Sequence, residues 1–481
     1  MNAARFVFSP AVLLSALTWS LAAPVLAQTD DREADMFGSE QEVPAPEVAA
    51  APADTELSQR SMELLEKDRL QVGGMMYMRY SATFFEDDLS DPTLSSPNLM
   101  DVYFDVRPND RVRGFARGRL TYNPLITSAA PAGFDVPDEL AVLLGPSPDE
   151  VDTALNQLWL KFDVGRVLFV TVGKQPVKWG STRLWNPVDF VNQSRREPLA
   201  LFDERTGVSA IKLHVPIESL AWNIVGLVLL DKADSIDRTG GALRLETVFS
   251  SVELGITGLV RKVDVLQGED MDILYDMLSG DPLPTEESVV PRLGLDVSAG
   301  VWDLDLSGEV GASFVESTMN SAPFTAGGRD ASLQATVGLG YTLKYSAEDY
   351  LVIGSEYLYN PEGYYEMSRY PLAMALRSVS PFYLGRHYAA GYVLVPAPGN
   401  WDYTSFTLSG IGCLTDESYV VRLDYRTMIL TYLSLEAYGS VSLGDSRGAF
   451  RLGVPADEFY PDSPEISPQR FMAGINLRVD M

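Results

Sequence analysis

Cysteine is nearly absent from this chain, with Cys413 alone, which excludes an internal disulfide framework and any clustered thiolate metal site. Positive charge is scarce. Against 66 Asp and Glu stand 37 Lys and Arg, a net charge of −29, which excludes nucleic acid as a partner because neutralising phosphates needs a basic surface. Beyond the N-terminus no apolar run reaches the roughly 18 residues of a membrane-spanning helix. Yet 46% of the 481 residues are hydrophobic and the mean hydropathy is −0.00, too apolar for a disordered acidic chain.

The N-terminal region divides into two pieces. Residues 1–27 have the marks of a signal peptide: Arg5, an apolar stretch from Ala11 to Leu21, and small-residue cleavage chemistry at Val25-Leu26-Ala27. Residues 28–70 form an acidic periplasmic linker, rich in Ala and Pro, followed by a short helix over 55–69 with Leu57, Leu64 and Leu65 on one face. The helix reads either as a solvated lead-in or as a plug or docking element.

From residue 71 to 481 apolar and polar residues alternate, which places them on opposite faces of β-strands. Leu293, Leu295, Val297, Ala299 and Val301 share one face, and Arg292, Asp296 and Ser298 the other. Leu304, Leu306, Val310, Ala312 and Phe314 are likewise opposed by Asp305, Ser307, Glu309 and Ser313. The terminal run through Phe471, Ile475 and Met481 does the same. About eighteen such segments occur, each near the length that a tilted strand needs to cross a bilayer.

Connections alternate between short and long. Short ones fall near 108–110, 165–166, 216–219, 250, 302–303, 346–349, 396–400 and 428–430. Long ones fall near 86–99, 123–153, 176–206, 231–238, 262–290, 316–329, 360–381 and 444–469, with 415–417 the exception. This asymmetry predicts an all-β fold, a single transmembrane antiparallel up-and-down barrel of about 18 strands, with both termini periplasmic. A soluble β-sandwich would have similar loops at both ends. Tyr341, Tyr345, Tyr350, Tyr357, Tyr359, Trp401 and Tyr403 lie near strand ends, where rings suit the headgroup level.

Such a barrel encloses a lumen wider than its side chains fill. Arg113, Arg117 and Arg119 share an inward face, and Lys161, Lys174 and Lys212 extend the basic strip over nearby strands. Asp296, Glu309 and Glu356 fall on later strands, on an opposing wall. These residues are the candidate pore lining and solute contacts, through a transverse field or, alternatively, as wall-stiffening pairs with Asp101 and Asp105.

The segment from Gly173-Lys174-Gln175 through Trp179-Gly180 to Asn186-Pro187-Val188-Asp189 stands out. It resembles uncharacterised porin-like outer-membrane barrels of Gram-negative bacteria, loosely related to the alginate-export barrels. The resemblance implies a barrel and leaves the substrate open. Trp179, Trp185 and Phe190 are too apolar for a free loop, so loop 176–206 is expected to fold inward as a constriction, with Lys178, Arg183, Asn186 and Asp189 beside the aromatics.

Catalysis has no support, because His214 and His387 stand without a nucleophile pattern; no cofactor or metal is expected either. The acidic stretch from Glu269 to Asp281 lacks calcium-loop spacing. The sequence therefore implies an outer-membrane pore for small hydrophilic solutes, anionic ones favoured. Its partners would be outer-membrane lipid and lipopolysaccharide, a small-molecule solute and, by analogy, two further copies in a homotrimer. Transport of lipidic cargo, or a plugged structural or surface-interaction barrel, is the alternative.

Overall fold

A computed structural model describes residues 69–125, 150–200, 202–230, 235–266, 285–315, 324–326, 329–347, 349–375, 380–456 and 465–481. The signal peptide and residues 28–68 of the acidic linker and short helix lie outside these residues, as does the acidic stretch 269–281. Twenty strands form one antiparallel sheet, and two of them, Thr93–Ser95 and Phe324–Ala326, are three-residue annexes. The other eighteen make the wall. They are β1 (Leu70–Phe85), β2 (Asn98–Asn109), β3 (Val112–Tyr122), β4 (Val151–Val164), β5 (Leu168–Gln175), β6 (Val208–Ile217), β7 (Trp222–Leu229), β8 (Gly240–Phe249) and β9 (Val252–Leu266). The circle continues with β10 (Thr285–Val301), β11 (Leu304–Val315), β12 (Arg329–Lys344), β13 (Tyr350–Tyr359), β14 (His387–Pro396), β15 (Thr404–Cys413), β16 (Ser418–Leu430), β17 (Leu433–Leu443) and β18 (Gln469–Asp480).

Each strand pairs with its chain neighbours, and β18 pairs with β1 from Met75↔Asp480 to Phe85↔Gln469. The sheet closes on itself, so every wall strand has two partners and no edge is left to meet hydrocarbon. The faces divide as the alternation predicts. On β10, Leu293 and Leu295 stand 58% and 50% exposed on the outside, whereas Asp296 is buried inside. Opposed residues share a face, and Asp296 lies directly opposite Glu309 of β11.

The short connections fall at one rim and the long ones at the other. Gly165 and Arg166, both in the left-handed region, turn β4 into β5 with the hand that matches strand twist. Exposed Trp302, Tyr345, Trp401, Tyr403 and Tyr432 mark this rim, and both ends of the wall, Leu70 and Asp480, lie there too. Some boundaries differ from the sequence reading, as the connections that end at 386 and 403 rather than 381 and 400 do. The turn expected at 428–430 sits at Thr431-Tyr432, because the apolar run through Leu430 extends β16 and a bulge at 428–430 absorbs the register. The loop expected over 262–290 is shortened by β9 and β10, whose pairing runs out to Leu266↔Thr285.

Candidate functional site

The connection from β5 to β6, residues 176–207, turns into the barrel. Its apolar side chains drive this: Val177, Trp179, Phe190 and Val191 pack on inward Val208, Ala210, Val225, Leu227, Leu229, Ala242 and Leu259 from β6 to β9. The wall makes room with glycine. At Gly294 a Cβ would come within 2.8 Å of Val188 Cγ1, and at Gly311 within 2.5 Å of the Pro187 carbonyl oxygen.

Two wall carboxylates hold this half of the loop. Glu309, 2% exposed, accepts from the backbone N–H of Ser181 and Thr182 (2.7 Å each) and of Val188 (3.2 Å), from the Thr182 hydroxyl (2.6 Å) and from Asn186 Nδ2 (3.2 Å). Glu356 of β13 accepts from the N–H groups of Arg183 (2.7 Å), Leu184 (2.9 Å) and Trp185 (3.4 Å). Consecutive backbone donors wrapped round an anion form a nest, here with the anion supplied by the wall. Trp185 is wholly buried in a second apolar cluster, with Tyr370, Phe382 and Leu384 from the β13–β14 connection and Phe450 from the β17–β18 connection. Arg183 lies 3.7 Å above the Tyr392 ring.

The second half of the loop first touches the β13–β14 connection and then crosses to the wall of β1, β3 and β4. Arg195 meets Glu362 at 2.5 Å, and Tyr383 donates to the Arg196 carbonyl at 3.0 Å. Phe202 packs edge-on against Tyr77 of β1, and Glu204 pairs with Arg79 at 2.8 Å. Arg119 of β3 donates to the Glu204 carbonyl, and the Gly207 N–H reaches Asn156 of β4. Within the loop Arg205 ties Asp189 (3.0 Å) to Asp203 (2.7 Å). Burial pushes the Asp189 carboxyl up, against the pull of Arg205 and Asn192. Glu197 keeps exposed surface; desolvation by neighbouring protein, with Glu204 adding, pushes its carboxyl up to about 7 against the pull of Arg422.

The sequence-predicted residues sort as follows. Trp179, Trp185, Asn186 and Asp189 are built into the loop's anchorage, Arg183 stacks on the wall, and Lys178 is exposed. Glu309 and Glu356, expected to face solutes, are instead capped by loop backbone. Asp296 is held by both Arg244 Nη atoms at 2.7 and 2.9 Å. The arginine strip is largely neutralised in place: Arg113 bonds Asp105 at 3.0 Å, Arg119 bonds Asp101 at 2.7 Å, and Arg117 lies over the Phe115 ring. The opposing charged walls thus pair locally. Lys174 does not join Lys161 and Lys212, because the register puts it opposite Leu158 and Ser209 on the outward row. Sequence reasoning missed Arg79, Glu204, Arg205, Arg244 and Arg261. Arg79 and Arg244 did carry a signal, alternating with Tyr77 and Glu246 on inward rows.

The closed wall, its apolar exterior and its charged interior decide the class. The chain folds as a closed, 18-stranded antiparallel β-barrel of the transmembrane type. No family model matches it, and no curated protein matches it. Among solved structures the barrel is similar to Acinetobacter baumannii OccAB1 (TM-score 0.48, 11% identity, 86% of this chain and 97% of that one). It is also similar to Salmonella typhi OmpF in complex with daunomycin (0.42, 9%, 86% and 97%) and to Vibrio cholerae OmpT in its trimer form (0.38, 11%, 86% and 100%). At these identities the strand pairing, not the likeness, carries the assignment.

Proposed function

We propose that this barrel is an outer-membrane channel for passive diffusion of small hydrophilic solutes, anionic ones favoured, and that loop 176–206 narrows it. The observation that carries this reading is the loop itself, pinned by Glu309 and Glu356 on one wall and by Arg79 and Arg119 on the other. A segment anchored on both walls reduces the aperture without a lid that must move. Lumen-facing Lys161 and Asp305 are exposed, which supports water beside the wall. The long-loop rim would face outward, with the termini in the periplasm, lipopolysaccharide round the rim, and a trimer as the assembly.

In planar bilayers the purified full chain should give discrete conductance steps, and deleting residues 179–190 should enlarge them at least about twofold, since conductance follows open cross-section. A second reading is a plugged barrel, favoured by the dry cluster of Trp185, Tyr370, Phe382 and Phe450. It expects silence from the full chain and steps only after the deletion. Silence from both would end the channel reading.

A further inference from the structure

On the wall from β4 to β6, two inward lysines have no ion pair among the described residues. Lys161 of β4 and Lys212 of β6 both lie in register with Thr171 of β5, so the three residues form one inward row. Among the described residues neither lysine has a carboxylate within 4.0 Å, although Arg113, beside Lys161, is paired with Asp105. Glu246, the carboxylate on the flanking wall, is engaged by Arg244 at 2.7 Å. Lys161 lies over the Phe169 ring, at 5.9 Å. The lysines stand two strand spacings apart, about 10 Å between backbones, within the joint reach of two flexible arms. His214, the next inward residue after Lys212, is opposite Phe169 and bonds Asn223 at 3.1 Å, so no acid enters the row from that side.

Two ammonium groups held close without a counter-charge repel each other, and one anion bridging them relieves this more than two separate ones. The row lies four residues from Gln175 and from Val208, the roots of loop 176–207, on the short-turn side of the loop. Lys161 is exposed to the lumen and Thr171 is half-buried, which gives a mobile ligand access and a hydroxyl to donate.

We propose that Lys161, Thr171 and Lys212 bind a small oxyanion bearing two negative charges, the chemistry shared by sulfate, hydrogen phosphate and short dicarboxylates. This deepens the channel reading, of which it would be the solute site, and its test is separable from it. Calorimetry on the detergent-solubilised full chain should detect one sulfate and one phosphate site at pH 8 and much weaker acetate binding. Lys161→Gln and Lys212→Gln should each weaken sulfate roughly threefold, the worth of a half-exposed ion pair, and together about tenfold. The double Arg variant should retain binding. Acetate binding as tight as sulfate, or a double Gln variant that binds like the wild type, overturns the site. In bilayers sulfate should shorten open times in the wild type and not in the double Gln variant. Lysine-dependent binding without conductance would remove the channel and keep the site; conductance without binding would do the reverse.

Discussion

Glu309 and Glu356 are buried acids whose oxygens accept chiefly from loop backbone N–H groups. Removing such an acceptor leaves several N–H groups unpaired away from water, each at about 1–3 kcal/mol. Glu309→Ala should therefore lower loop stability by roughly 3 kcal/mol, visible as faster amide exchange at Ser181, Thr182 and Val188 with β-strand exchange unchanged. Unchanged protection at those amides would mean that Glu309 does not hold the loop. Gly311 tests the same seat sterically. With the Pro187 carbonyl 2.5 Å from an added Cβ, Gly311→Val should displace the loop and enlarge the conductance step, whereas Gly300→Val, where a Cβ meets nothing, should not. Equal steps from the two variants would show that the loop tolerates the intrusion.

At the scale of the element, the loop is both an apolar wedge and a carrier of charge. Its first half supplies the aromatics, and its second half brings Arg195, Glu197, Asp203 and Glu204 back along the wall. Glu197 has its carboxyl raised to about 7, so it is protonated below that value and charged above it. Raising the pH from 6 to 8 should then shift the reversal potential toward cations, and Glu197→Gln should remove most of that shift. A shift undiminished in the variant would assign it to another group. The inward course of the loop was legible in the sequence, because three large aromatic residues in a connection need burial. Its seat was not, since nothing in the spacing of Glu309 and Glu356 distinguishes a solute contact from an anchor 120 or more residues away.

For the whole molecule the decisive feature is closure through β18 and β1. Truncation before Phe471 would expose two long strand edges, and it should abolish the compact, heat-modifiable species on gels and all conductance. A truncated chain that still gives native steps would deny that this seam is needed. Period-two alternation and uneven connections determined the strand number, the inward and outward faces, and the rim holding both wall termini, because a pleated strand states its two faces locally. Which inward charges pair with one another was decided only by the tertiary structure. Register set Lys174 on the outward row, brought Arg113 to Asp105 and Arg244 to Asp296, and left Lys161 and Lys212 without an acid among the described residues, since pairing depends on neighbours across strands and not along them.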